Sequence, residues 1–518
     1  MSLVSLDIWR LMLKSRNTII LIFILILGTA IRCWNFPNVP PGLNRDEAAI
    51  GYNAYSLLST GLDEWGKSYP LVYKSFGDYK LPGYLYSVIP FVAILGLNEW
   101  AVRLPSLIAG ILLIVAMYWI TGKFTKNKNI QLLSAFLVAI SPWAIHYSRV
   151  GFEANVALLL FVSNLSLMMD KKRLKYLLGL VLLFLSLLTY NAPLVLIVPF
   201  LFILMIFKKI SFVKGTIAIA LSALAFLLVF PATKGKTSIT IFQDQGLGEQ
   251  QRQLRITHSN SLVWRVVTNP VVYNTIAVAK NHLKSFSPDF LAKGGGKNPW
   301  HQAPGKAHLY YVQYVLALVG IGYGIISLMR KQKNYIIDNV PILLLWLFIS
   351  PLASSITTDA PHATRNLFFF FLLTFFSALG IELLHKYKFI LVPVVTIFAI
   401  ELFHYLWVYN TTFLRSPLPE WNSGLKEAIE KAKVTSDEKM SITLVGDTHY
   451  NYIYPLFYGR VSPKVFRSTM QLYPVDALGF ARVKSYEGFM FVESRDQLVR
   501  PTVAIQQQGK EFVVEKIE

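Results

Sequence analysis

The chain has 518 residues, of which 54% are hydrophobic and 15% charged, with a mean hydropathy of +0.46. Soluble globular domains carry about a quarter charged residues, so a water-soluble enzyme is excluded. The formal net charge is +21, but Lys and Arg sit in short clusters between apolar runs, which is the pattern of membrane orientation and not of a nucleic-acid surface.

In chain order, Arg10, Lys14 and Arg16 precede an apolar run over residues 17–34. That run is too long for a signal-peptide core and has no small-x-small cleavage site, so it reads as an uncleaved anchor. It holds Cys33, the single cysteine, which excludes an intrachain disulfide. A polar loop over 35–98 follows, with the triplet Arg45, Asp46, Glu47 inside it. Adjacent carboxylates beside a membrane are costly unless they pair or do chemistry. Residues 81–97 are apolar but contain Pro82, Gly83, Pro90 and Gly96. If they crossed, the basic cluster at Lys123, Lys126 and Lys128 would change sides, so a helix lying on the outer surface is expected.

Ten further spans are predicted at 100–121, 130–146, 153–169, 175–191, 192–207, 214–231, 309–329, 336–352, 365–384 and 389–408, giving about eleven in all. The basic clusters near Lys123, Lys171, Lys208, Arg330 and Lys386 mark the cytoplasmic ends. The N-terminus is then cytoplasmic, and the loops 35–98, 146–155, 232–308 and 357–365 are extracytoplasmic. After residue 409 the chain changes character. An amphipathic stretch over 423–433 and strand-like runs at 441–445, 489–493, 502–506 and 511–517 predict a small extracytoplasmic α/β domain over 410–518. Residues 1–409 form an all-α polytopic membrane domain.

The outer loops collect carboxylates and cations. The first offers Arg45, Asp46, Glu47, Asp78 and Lys80; the second His146, Arg149 and Glu153; the long loop His301; the last Asp359, His362 and Arg365. Carboxylates suit removal of a proton from an incoming hydroxyl or amine. Arg, Lys and His suit a departing phosphate. A phosphate held at the lipid interface implies a lipid-linked leaving group. Each residue also has a plainer reading. Asp46 and Glu47 suit the first turn of a surface helix, Arg149 a snorkelling cation, Glu153 a helix cap, Lys80 a headgroup anchor, and His301 a structural histidine.

Several segments resemble the membrane glycosyltransferases of the GT-C class, family 39, which holds the protein O-mannosyltransferases and the bacterial aminoarabinose transferases. They are Asp46-Glu47, Lys80-Leu-Pro-Gly-Tyr, the run over 98–106, the run over 141–149, the run over 301–310 and that over 359–365. The resemblance covers most of 17–385. It implies a GT-C fold with surface helices in the first outer loop, and an inverting transfer of a monosaccharide from a polyprenyl-phosphate donor. Asp46 would be the general base, with Glu47 and Glu153 supporting it or binding a divalent cation. Lys80, Arg149, His362 and Arg365 would hold the donor phosphate, with Arg45 and His301 as weaker contacts. The acceptor class (protein, lipid or glycan) stays open, as does any metal. Two departures stand out. Gly83 replaces a proline after Lys80, and Glu153 stands where relatives often carry Asp. A lipid-diphosphate glycan ligase is the alternative within the class, and would show more cations. A transporter or lipid flippase is the alternative outside it, and would place ionisable groups midway through its spans.

Overall fold

The computed structural model describes residues 16–258, 261–330, 340–415, 419–437, 440–475 and 481–518. Arg10, Lys14, Lys331 and Lys333 of the basic clusters lie outside these, as do residues 336–339 of one predicted span.

Helices stand wherever spans were predicted. Six are long and apolar enough to cross a bilayer: Arg16–Cys33, Glu99–Thr121, Phe212–Thr233, Tyr311–Met329, Thr364–Leu384 and Lys388–Arg415. Glu153–Met168, Arg173–Leu187, Asn191–Ile206 and Val340–Ile349 occupy the other predicted positions as shorter helices.

The predicted span 130–146 is not one continuous helix. It is two helices, Lys128–Ile140 and Pro142–Ser148, bent by 57°. Pro142 has no N–H to offer the carbonyl four residues back, so the ladder must break there. Arg32, buried at the end of the first helix, closes the gap. Its guanidinium donates to the carbonyls of Val138 at 2.9 Å and Ala139 at 2.7 Å, and to Ser148 Oγ at 2.9 Å. Backbone groups freed inside a membrane protein need such partners. Elsewhere the bundle packs backbone on backbone. A Cβ on Gly320 would sit 2.0 Å from the Phe376 carbonyl oxygen, and one on Gly380 would sit 2.2 Å from that of Leu316. Only glycine allows these two helices to approach so closely.

The two ends of the bundle sort as span parity requires. At one end Lys123 and Lys175 both pair with Asp170, at 3.4 and 2.8 Å. Asn127 donates to Glu382 at 2.7 Å, and the Tyr176 hydroxyl donates to the Lys214 carbonyl at 2.8 Å. The basic clusters near Lys123, Lys171, Lys208 and Lys386 therefore share one end. At the other end the first loop folds into a helix, Arg45–Thr60, a short antiparallel hairpin of β1 (Tyr73–Ser75) and β2 (Asp78–Lys80), and the helix Gly83–Leu95. Both its flanks return to one helix turn. Lys80 meets Asp46 at 3.3 Å, and Arg103 meets Glu47 at 2.8 Å. The segment thus lies on the surface, as expected.

The long loop 232–308 is itself largely helical, with Gln245–Thr257, Leu262–Val267 and Pro270–Ser285. The C-terminal part contains the helix Leu425–Thr435 and a six-stranded sheet. Its strands are β3 (Ser441–Val445), β4 (Gln471–Leu472), β5 (Val483–Tyr486), β6 (Phe489–Val492), β7 (Thr502–Gln508) and β8 (Glu511–Ile517), in the order β4-β5-β6-β3-β7-β8. β3 pairs in parallel with β6 and β7, and the other neighbours are antiparallel. This unit does not stand apart from the first loop. Its core, with Ile429, Leu456 and Phe466, is continuous with Leu43, Ala48 and Tyr52. Arg467 also donates to Ser56 Oγ at 3.1 Å and to the Asp63 carbonyl at 3.0 Å.

Candidate active site

A cavity of about 550 Å³ opens at the loop-bearing end of the bundle. Its wall draws on the first loop, the start of the helix Glu153–Met168, the turn near residue 190, the end of the helix Phe212–Gly235, the loop near 300 and the loop 353–365. Seven of the nine residues singled out in the sequence line it: Arg45, Asp46, Lys80, Glu153, His301, His362 and Arg365. Leu81, Leu194, Val195, Phe226 and Ile356 make another part of its wall apolar.

Asp46 owes its position to how the helix Arg45–Thr60 starts. Asn44 is the N-cap, accepting from the Glu47 amide at 3.0 Å, and Glu47 Oε2 accepts from the Asn44 amide at 3.2 Å. This capping box fixes the first turn, and the helix begins at Arg45. Asp46, between cap and box, projects into the cavity. Lys80, at the end of β2, approaches it to 3.3 Å. Burial alone would raise the Asp46 carboxyl, but the charges of Lys80 and Arg45 outweigh it and hold the group below its ordinary value. Burial would lower Lys80, and Asp46 and Glu153 more than reverse that. Both therefore stay charged at neutral pH.

Glu47 does not line the cavity. It is fully buried, with its oxygens accepting from Arg103 Nε at 2.8 Å and Nη2 at 3.0 Å. The amide of Gly151 adds another donor at 2.8 Å. Arg103 also donates to the carbonyls of Pro37, Pro40 and Gly42, at 2.5, 2.8 and 2.6 Å. Every strong acceptor of Glu47 is taken within the protein. Arg149 is likewise turned away from the cavity. It is buried, and donates to the carbonyls of Arg32 at 2.8 Å, Trp34 at 2.6 Å and Val39 at 3.1 Å, with Tyr409 against its guanidinium. Arg149 therefore caps the end of the first helix, whose last carbonyls have no intrahelical partners.

Also in the cavity wall, Arg365 donates to Asp359 at 2.5 Å and to Thr357 Oγ1 at 2.9 Å. His301 and His362 pack edge to face at 4.6 Å between ring centroids. The His301 Nε2 and Thr364 Oγ1 lie 2.9 Å apart. Burial, and then neighbouring histidine and arginine charges, hold both imidazoles well below the ordinary histidine range. They are neutral at neutral pH, so they can offer hydrogen bonds but no charge. The Nδ1 atoms of both rings are buried with no partner among the described residues. Arg45 sits between the Trp300 and Tyr450 rings, 5.0 Å from each centroid. Trp300 is held by its carbonyl, which accepts from His146 Nε2 at 2.6 Å.

Two contributors escaped the sequence reading. Lys236 lines the cavity and pairs with Asp78. It follows a long span with no motif around it, so no sequence signal marks it. Burial and the charge of Lys80 lower its ammonium group. Arg103 lies in the run 98–106 but received no role there. An arginine at the mouth of a span, facing a loop with an acidic pair, was the available clue. Among the described residues no group of three or more His, Cys, Asp or Glu side chains could hold a metal ion.

Residues 81–233, less than a third of the chain, match the family model described as dolichyl-phosphate-mannose-protein mannosyltransferase. No curated protein sequence matches the chain. Among solved structures, the Archaeoglobus fulgidus oligosaccharyltransferase crystallised with zinc and sulfate superposes with a TM-score of 0.52 at 14% identity, over 85% of this chain and 61% of that one. The AglB oligosaccharyltransferase of the same organism, in complex with an inhibitory peptide and a dolichol-phosphate, gives 0.52 at 15% identity, over 86% and 64%. The chain has a GT-C fold. It spans less than two thirds of the length of these two oligosaccharyltransferases. ArnT from Cupriavidus metallidurans bound to undecaprenyl phosphate gives 0.49 at 12% identity, over 85% of this chain and 84% of that one.

Proposed function

We propose that this protein is a membrane glycosyltransferase that moves a sugar from a polyprenyl-phosphate donor to an acceptor at the loop-bearing face. The observation that carries the reading is one cavity lined by Asp46, Lys80, His362 and Arg365 together with apolar side chains, with Asp46 and Lys80 paired in it. A lipid-linked phosphate needs this combination of apolar surface for the prenyl chain and cations for the leaving group. The match of residues 81–233 to a mannosyltransferase family supports the same chemistry.

In this reading Asp46 takes the proton from the acceptor hydroxyl or amine as that atom attacks the anomeric carbon. The bond from that carbon to the phosphate oxygen breaks, with inversion. The electron pair leaves on the phosphate, and Lys80 and Arg365 neutralise the charge that develops. Lys80 is poised to act twice. It pairs with Asp46 at 3.3 Å, and a phosphate in the cavity would compete for it, leaving Asp46 to the acceptor. His301 and His362, neutral and with unpartnered nitrogens, offer hydrogen bonds to donor or acceptor. Glu153 lies near enough to Lys80 to raise it, and supports the same charge balance. The face would be extracytoplasmic, since the basic clusters gather at the opposite end.

A lipid-diphosphate donor is the second reading, favoured by Lys236, which adds a cation to the cavity wall. The two part on one assay. Purified protein in proteoliposomes is given radiolabelled polyprenyl-phosphate sugar or the corresponding diphosphate, and release of the lipid product is followed. Turnover of the monophosphate that is lost in Asp46→Asn supports the first reading. Turnover of the diphosphate alone replaces it with the second, and turnover of neither removes both.

A further inference from the structure

A second cavity, of about 180 Å³, lies between the segments 292–293 and 305–311 and the helix Lys388–Trp407. None of its lining residues borders the large cavity. Lys293, Lys306 and His404 line it. Lys306 Nζ lies 3.0 Å from His404 Nδ1 and 3.3 Å from Nε2. Among the described residues Lys306 forms no ion pair with a carboxylate, and Lys293 makes only a loose one, 3.7 Å from the exposed Asp289.

The other polar groups of the wall are already engaged. Glu401 accepts from the backbone amides of Tyr311 at 2.9 Å and Val312 at 3.2 Å, at the start of the helix Tyr311–Met329. The helix dipole there favours its negative charge. The hydroxyls of Tyr310 and Tyr405 donate to the carbonyls of Ile140 at 2.7 Å and Pro142 at 3.1 Å. A ligand entering this cavity therefore meets Lys306 and Lys293, with His404, as the least committed polar side chains, while the Glu401 carboxylate is held by two amides; such cations suit an anion.

The surroundings say which anion. Ile400, Phe403 and Trp407 on one helix, and Tyr311 and Val315 on its neighbour, are large, apolar and exposed. In a bilayer these faces meet acyl chains. Tyr311 and Trp407, at the helix ends, fall at the headgroup level. A cationic pocket at that depth, opening beside lipid-facing helices, is met first by a lipid headgroup. We propose that this cavity binds the phosphate of an anionic membrane phospholipid, held by Lys306 with Lys293 and His404 beside it.

The test uses the full chain in phosphatidylcholine nanodiscs that contain a phosphatidylglycerol bearing a photoreactive headgroup. Cross-links are mapped by peptide mass spectrometry. Labelling of residues 305–311 or 401–405 is expected, and Lys306→Ala should reduce it about fivefold, the worth of one interfacial cation at roughly 1 kcal/mol. Lys306→Arg should keep it. Unchanged labelling in Lys306→Ala overturns the proposal. So does equal labelling by a photoreactive phosphatidylcholine. Loss of labelling on adding inorganic phosphate at millimolar concentration, at constant ionic strength, assigns the site to a soluble anion and overturns it too. Should Lys306→Ala fail to fold, Lys293→Ala carries the same comparison.

Discussion

Two polar regions lie back to back across the first turn of the helix Arg45–Thr60, built from the same kinds of residue. On one side Asp46 and Lys80 meet at 3.3 Å in a cavity, each partly exposed. On the other Glu47 and Arg103 meet at 2.8 Å, each fully buried. The first pair leaves capacity unused, since one long contact satisfies neither a carboxylate nor an ammonium. The second pair leaves almost none, because three carbonyls, two amides and the Asn44 side chain complete its shell. The difference separates chemistry from scaffolding. A charged group whose hydrogen bonds are closed by its own chain can hold a loop but cannot meet a substrate.

The sharpest way to break this comparison is to exchange the two acids in turn. Asp46→Asn should lower turnover by about 10²- to 10⁴-fold, the usual weight of a positioned base, with an unchanged melting temperature. Glu47→Ala should do the reverse kind of damage. Removing one partner strands a buried guanidinium, at a cost of about 3–5 kcal/mol, which thermal unfolding in detergent will show as a large drop or as loss of folded protein. If Glu47→Ala folds normally and only turnover falls, the division between the two regions is wrong.

Smaller effects sharpen the cavity side. Arg365→Ala should raise the KM for the donor about tenfold, with a smaller change for the acceptor, because it removes one charge-assisted contact to phosphate. An equal rise for both substrates would take Arg365 out of the phosphate site. Lys80→Gln should move the acid limb of the pH–rate profile upward. In the native protein the charges of Lys80 and Arg45 hold Asp46 below its ordinary value against burial. Activity is therefore kept as pH falls through the ordinary carboxylate range. Without Lys80 burial gains ground, Asp46 takes up its proton at higher pH, and activity is lost sooner on acidification. An acid limb that stays in place would show that Asp46 is not the titrating group.

Much of this was legible in the sequence, for reasons that can be named. Span positions followed from apolar length, and their parity from Lys and Arg clusters, because both are bulk properties of a chain in a bilayer. The surface helix Gly83–Leu95 followed from parity together with Pro82, Gly83, Pro90 and Gly96 in an otherwise apolar run. The C-terminal strands β3, β6, β7 and β8 showed as strand-like runs, while β4, two residues long, carries too little pattern to read. Asp46, Lys80 and Arg365 could be picked because their chemistry suits a phosphate. Arg149 was read in the same way and proved to cap the first helix, because an arginine that binds carbonyls looks like one that binds phosphate until the fold shows which oxygens are in reach. Lys236 was invisible, since only the packing of the hairpin against the end of the helix Phe212–Gly235 brings it to Asp78. The break at Pro142 could be anticipated from proline chemistry, but its repair by Arg32, more than a hundred residues away, could not.

The central claim is that Asp46 is the base for transfer from a lipid phosphate. A single-turnover experiment tests it most directly. Wild-type and Asp46→Asn proteins, both folded and reconstituted, are loaded with polyprenyl-phosphate sugar and acceptor, and free polyprenyl phosphate is measured against time. The account predicts rapid release in the wild type, and in the variant normal donor binding with release slowed at least 10²-fold. Release at the wild-type rate in Asp46→Asn would contradict it.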